Sequence, residues 1–481
     1  LHYSSRRQRQ MCIRDRSYSH AQQLMTTINS ANLAIDVIKN SNDLALKYHA
    51  IWWLGKNKEQ EALEVLCQVL NQDSDQTELG GYPLRRQAAR SLGMIANPQA
   101  VPSLILSLSS TDLRLQEAAI LALRSINDRR AVPSLIAYLQ EISSPKPMEV
   151  LIEALAAFEI WEVEDAIRKY LNDSSKRIQG AAAVYFYRMT KELQYLPILN
   201  NNLSDENAFV RQSAAFDIAQ CGDANLSEAI TTAKLPNNVK MAGLKQILET
   251  YSSKSTNSTS DNTINRLISK IDCLITDAIQ GNLPSTQQLQ SNDLMELSPL
   301  QITKQHLTNL IQQNPDGNEQ LLKSLQEDEK TNCTIICAAC LEIQDQDIRA
   351  AIVQLLYFMK CTKAVAVLQQ VIGLEIANHC QGKLRRVALL ALGNLYHEFE
   401  EGKEARRSIQ STLHWALTEP EDWGLRYSAV MAYEVIASTK QVDFELFSES
   451  SKSCQTDPII NIRIAIAESS LKDAASHSIP A

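Results

Sequence analysis

Apolar residues recur along most of this chain at spacings of three and four, with polar residues between them. That is the period of a helix buried along one side. In residues 84–95 the stripe is Leu84, Ala88, Leu92 and Ile95, and 31 residues later Leu115, Ala119, Leu123 and Ile126 repeat it. Behind each stripe stands the same hexapeptide, Ala100-Val101-Pro102-Ser103-Leu104-Ile105 and then Ala131-Val132-Pro133-Ser134-Leu135-Ile136. Each unit predicts a helix, a short turn and a second helix opened by proline. Proline is tolerated there because its missing N–H would be unpaired in the first helical turn anyway.

Weaker copies surround this pair, at 43–70, 148–171, 176–199 and 208–230, and later at 347–372, 382–399, 422–436 and 457–471. One helical pair cannot bury its apolar face alone, whereas stacked pairs share a continuous core. The pattern therefore predicts an all-α fold, a HEAT-like α-solenoid (an α–α superhelix) with two repeat lobes. The lobes are expected at 19–250 and 321–475. Between them, 251–320 reads as a polar linker with helical segments, since "YSSKSTNSTSDNT" at 251–263 packs poorly and 281–320 is rich in Gln, Asn and Ser around "ITKQHLTNLIQQ". One curved superhelix and two arms around a groove fit the pattern equally. Residues 476–481 form a tail. Residues 1–18, with their basic "RRQRQMCIRDR", read as a disordered or artefactual arm outside the fold, and a basic arm for nucleic acid is the other reading.

Composition narrows the function. A net charge of −8 argues against general nucleic-acid binding, and no run of 18 apolar residues predicts a membrane span. Ten cysteines in 481 residues do not make a disulfide scaffold, so a reducing compartment is expected. Cys333, Cys337 and Cys340 fall on one apolar helical stripe with no second Cys/His pair at zinc-site spacing; no metal is expected there. His379 and Cys380 are adjacent, and adjacent side chains rarely aim at one another. Glycine-rich phosphate loops, zinc-protease and serine-hydrolase motifs are missing. If the chain is an enzyme, its chemistry is light: it holds a reactive ligand and a partner's nucleophile together.

One stretch stands out, "GGYPLRRQAARSLG" at 80–93, with a counterpart 300 residues later. Leu84, Arg85, Arg86, Ala88, Leu92 and Gly93 match Leu384, Arg385, Arg386, Ala388, Leu392 and Gly393. Related helix starts carry Lys47-Tyr48-His49 and Arg426-Tyr427. By analogy with the solenoid class, the helices bearing them line the inner surface. Each arginine has a plain reading as the ion-pair partner of an acid in the neighbouring unit. Together with Tyr82, Tyr48, Trp52, Trp53, Trp423 and Tyr427 they also suit a groove for a large, flat, anionic ligand, because arginine pairs bidentately with carboxylates and stacks on aromatic faces.

The segments "LKYHAIWWLGK", "GGYPLRRQAARSLG", "HCQGKLRRVALLALG" and "EDWGLRYSAVMAYEVI" resemble the HEAT-repeat phycobilin lyases of the E/F type, and the length resembles single-chain members that act on phycoerythrin. The resemblance covers most of 40–475. It implies a lyase that attaches an open-chain tetrapyrrole such as phycoerythrobilin, as substrate and not as resident cofactor, to a cysteine of a phycoerythrin subunit, α being the expected client. It also implies that some members isomerise the bilin to phycourobilin. It places the protein in a cyanobacterial cytoplasm or a plastid stroma. Arg85, Arg86, Arg385, Arg386 and Arg426 are the candidates to hold the propionates, with Trp423 against the rings. Asp422, Tyr82, Tyr427 and His49 are the candidate proton donors. Neither nucleic acid nor metal enters this reading. The competing reading is a non-enzymatic HEAT scaffold or chaperone that grips a protein partner.

Overall fold

The computed structural model describes residues 28–477 except 73–75, 77–80, 142–144, 254–260, 277–328, 344–348, 351, 354–355, 357–360, 374–381, 401, 419–421 and 438–456. The expected arm at 1–18, the patch at 302–313 and the His379–Cys380 pair lie outside the described residues. The described residues form α-helices joined by short 3-10 turns, with no strand among them. The chain divides into two compact units, Leu1–Cys221 and Gly222–Ala481.

The first unit opens with α1 (Ala31–Asn40), α2 (Leu44–Lys56), α3 (Leu63–Leu70) and α4 (Pro83–Ile95). It continues through α5 (Val101–Leu106), α6 (Leu113–Ile126), α7 (Val132–Gln140) and α8 (Met148–Ala157). It ends with α9 (Glu164–Arg168), α10 (Lys176–Thr190), α11 (Leu196–Leu203) and α12 (Ala208–Gln220). Helices α2, α4, α6, α8, α10 and α12 pack side by side in chain order, so each repeat touches its neighbours along one row. The repeated stripe is the seam. Leu84, Ala88, Leu92, Ile95, Leu115, Ala119 and Leu123 are buried, and Ile126 is half-buried. Both copies of the proline hexapeptide begin on a 3-10 turn and run into α5 and α7, with proline in the first helical turn as its chemistry requires.

Two features set the spacing of the row. Gly93 on α4 lies so close to α6 that a Cβ there would meet the Ala122 Cα at 2.9 Å. Aspartates and asparagines start the helices: Asp43 accepts from the Ala45 and Leu46 amides, Asp112 from Arg114 and Asn207 from Phe209. These side chains satisfy amides that helix starts leave unpaired.

The second unit contains α13 (Ser227–Thr232), α14 (Asn237–Ser252), α15 (Asn262–Thr276), α16 (Glu329–Glu342) and α17 (Val365–Ile372). Its remaining helices are α18 (Gly382–Leu395), α19 (Glu404–Thr418), α20 (Trp423–Ala437) and α21 (Pro458–His477). Helices α18, α20 and α21 pack in succession, and Gly393 meets Ala432 as Gly93 meets Ala122. The division between the units falls at Cys221–Gly222, ahead of the polar stretch that marked the expected end of the first lobe at 250. Helices α13 to α15 belong to the second unit because their side chains are committed there. Asp272 of α15 accepts from the Tyr427 hydroxyl at 2.7 Å and from Arg463 Nε at 3.2 Å. Helix α15 lies within the segment read as a linker, yet it buries Ile264, Leu267, Ile268 and Ile271.

Candidate functional site

The paired-arginine turn of the first unit begins where Tyr82 and Pro83 open α4. Arg85 turns back: its Nε donates to the Leu70 carbonyl at the end of α3 at 2.7 Å, and its guanidinium lies 4.7 Å from the Tyr82 ring centroid. Arg86 turns forward. Its Nε donates to Asp112 at 2.5 Å, and the same carboxylate oxygen accepts from the Tyr82 amide at 3.1 Å. A side chain at Gly81 would push on this guanidinium and displace it from Asp112. Asp112 is buried. Burial favours its protonated form, but the Arg86 hydrogen bond and the Tyr82 amide outweigh it and hold the carboxyl below its usual range. His49, half-buried on α2, is pushed down by burial and partly lifted again by Asp43, so its imidazole favours the neutral form. Trp52 and Trp53 are both half-buried, and Lys56 Nζ sits 4.8 Å from the Trp52 ring.

The second unit repeats the arrangement with the same residue types. Arg385 Nε donates to the Ile372 carbonyl at the end of α17 at 2.7 Å, and Arg386 Nη2 donates to Asp422 Oδ1 at 3.1 Å. Asp422 also accepts from the Leu425 amide at the start of α20. Arg426 repeats the arrangement once more with Asp457 at 2.7 Å, and Asp457 in turn receives the Ile459 amide. Arg86, Arg386 and Arg426 thus share one role: each reaches the aspartate that starts the next helix of its row. This is the ion-pair arrangement weighed from sequence beside the ligand reading.

The other candidates separate. Tyr427 is fully buried, its hydroxyl bound to Asp272 and its ring 5.7 Å from the Arg463 guanidinium. Burial, with Asp272 next to it, pushes the phenol well above its usual range. Arg385 is 1% exposed. Trp423 is half-buried, edge-on to Tyr427, with Lys245 Nζ 5.7 Å from its ring. In the first unit the half-buried Arg85 stands beside Tyr82; in the second, Trp423 stands beside Lys245.

A carboxylate cluster escaped the sequence reading. Glu149 on α8 pairs with Arg177 of α10 at 2.7 Å, and Glu153, one turn on, pairs with Arg124 of α6 at 2.9 Å. Burial pushes the Glu149 carboxyl up to about 7, against the pull of Arg177 and with help from Glu153 and Glu117. Asp217 of α12 is buried against Gly180, and burial, with Glu153 and Glu149 adding repulsion, raises it well above its usual range. Burial thus moves Glu149 and Asp217 toward their protonated forms, the form a general acid uses. The signal in the sequence was the like-charged pair Glu149 and Glu153, four residues apart on one helical face.

Residues 82–146 match the family described as HEAT repeats, and residues 46–72 match the PBS lyase HEAT-like repeat. Over 209 residues the chain is 47% identical to the bilin biosynthesis protein PecE of Mastigocladus laminosus, a match covering 43% of this chain and 77% of PecE. The chain belongs to the HEAT-repeat phycobilin lyase family. Another family member, the phycocyanobilin lyase subunit alpha of Nostoc sp., is 38% identical over 250 residues, 49% of this chain and 90% of the relative. The structure of the CpcE–CpcF complex of phycocyanin lyase from Nostoc sp. covers 51% of this chain and 95% of its own at 35% identity, with a TM-score of 0.46. In this phycobilin lyase family member, the lyase-type match spans α2 with His49 and Trp52, and the HEAT match begins at Tyr82. No helix among the described residues is long and apolar enough to cross a membrane.

Proposed function

We propose that this protein is a bilin lyase. It binds an open-chain tetrapyrrole, phycoerythrobilin, and joins it to a cysteine of a phycobiliprotein subunit, the α subunit of phycoerythrin. The observation that carries the reading is the 47% identity to a bilin biosynthesis protein over 77% of that protein's length. The client's thiol adds across the A-ring ethylidene double bond. A sulfur–carbon bond forms, the thiol loses its proton, and the conjugated system takes one up, so nothing leaves. Holding ligand and thiol together supplies much of the rate.

In this reading the candidates do different work. Arg86, Arg386 and Arg426 hold the helix starts through their aspartates. Arg85 beside Tyr82, and Lys245 beside Trp423, combine a cation with an aromatic face, which suits a propionate next to a flat ring. Tyr82 stays a candidate proton donor reached from sequence, Glu149 joins it because its carboxyl is shifted up to about 7, and His49, favoured in its neutral form, suits accepting a proton better than donating one.

The test is co-expression with phycoerythrobilin synthesis and a phycoerythrin α subunit, reading the absorbance of the denatured client. Covalent colour of the phycoerythrobilin type means attachment alone. A blue shift, from a shortened conjugated path, means isomerisation to phycourobilin in the same event. Colourless α and β subunits would overturn the reading. They would favour a non-enzymatic scaffold.

A further inference from the structure

The described residues contain one convergence of thiols that the bilin chemistry does not use. Cys333 and Cys337 lie one turn apart on the same face of α16. Cys361 precedes the 3-10 turn Thr362–Ala364 that leads into α17. Their three sulfurs lie within 4.8 Å of one another, and all three residues are buried. The sequence reading stopped at the helical stripe because Cys361 stands 28 residues from Cys333 and outside any zinc-type spacing.

Buried free cysteines usually behave as small apolar side chains, and Cys221 is of that kind. Such side chains scatter through a core. Three sulfurs brought to one point from two separate elements are a ligand set. We propose that Cys333, Cys337 and Cys361, when reduced, form a thiolate site for a soft divalent metal ion such as zinc, with a water in the fourth tetrahedral position. Zinc–thiolate bonds of about 2.3 Å need sulfurs within this range of one another.

The structure joins Cys333 and Cys361 as a disulfide, with their Cα atoms 6.2 Å apart. Two electrons and two protons from a dithiol reductant open it to two thiols, and the reductant leaves as its own disulfide. Metal binding then displaces three thiol protons and forms three metal–sulfur bonds. The bound ion would staple α16 to the turn that starts α17, whose last carbonyl anchors Arg385.

The full-length chain, reduced with a phosphine and kept without oxygen, is titrated with cobalt(II). One equivalent is expected to give sulfur-to-cobalt charge-transfer absorption and tetrahedral d–d bands, with release of three protons per ion. Cys340→Ser should keep these bands, whereas Cys337→Ser should lose the charge-transfer intensity while its far-UV circular dichroism stays native. Absence of thiolate bands in the reduced chain would overturn the proposal. So would full-intensity bands in folded Cys337→Ser or Cys361→Ser protein, because these residues would then not be the ligands.

Discussion

Adjacent arginines that look interchangeable in the sequence do different work. Arg86 and Asp112 form a largely buried pair, and removing one partner of such a pair leaves a buried charge unmatched. Arg86→Ala is expected to cost roughly 2–4 kcal/mol, seen as a lower melting temperature, with attachment per folded molecule retained. Arg85→Gln removes one hydrogen bond to the Leu70 carbonyl and the cation over Tyr82, so about 1 kcal/mol is expected from it, while bilin binding falls at least tenfold. Absorbance titration with the free bilin and thermal melts of both variants separate these roles. If Arg85→Gln binds bilin normally, the ligand role assigned to it is wrong. The residue types and their repetition were legible in the sequence. The partners were not: Asp112, Asp422 and Asp457 stand 26, 36 and 31 residues downstream of their arginines, and a local pattern cannot say which acid starts the next helix.

At the scale of the element, the row of helices was legible because the 31-residue period states it directly. Its spacing follows from small side chains. Gly93→Ala places a methyl against the Ala122 backbone, and overpacking of this kind costs about 1–3 kcal/mol, measurable by denaturant midpoint. Glu149 adds a pH dependence. Below pH about 4.5 both native and unfolded chains hold its proton. Between there and about 7 the unfolded chain loses the proton and the native one keeps it, so stability falls as pH rises through this window. Glu149→Gln should remove that slope, and if Glu149 also serves as a proton donor, the same variant should flatten the pH profile of attachment. A slope that persists unchanged in the variant would assign it to other groups. The shifted carboxyl was hidden from sequence because burial, not residue type, creates it.

At the scale of the whole molecule, the all-α class was readable from the return of the repeat after a polar interruption. The division between the units at Cys221–Gly222 was not. Composition marks 251–263, but the commitment of α13 to α15 depends on contacts such as Asp272 with Tyr427, 155 residues apart, and Arg386 with Met241, 145 apart. A chain ending within α19 would lose both Tyr427 and Arg463, the partners of Asp272.

Each aspartate that closes an arginine pair also begins a helix, and this double use has a kinetic consequence. A repeat whose aspartate is unmade by local opening releases the arginine of the repeat before it, so the two loosen together. Amide hydrogens at the start of α6 should therefore exchange in step with those of α4 and not on their own. In the second unit the starts of α18, α20 and α21 should exchange as a linked series, because Arg386 and Arg426 tie each to the next.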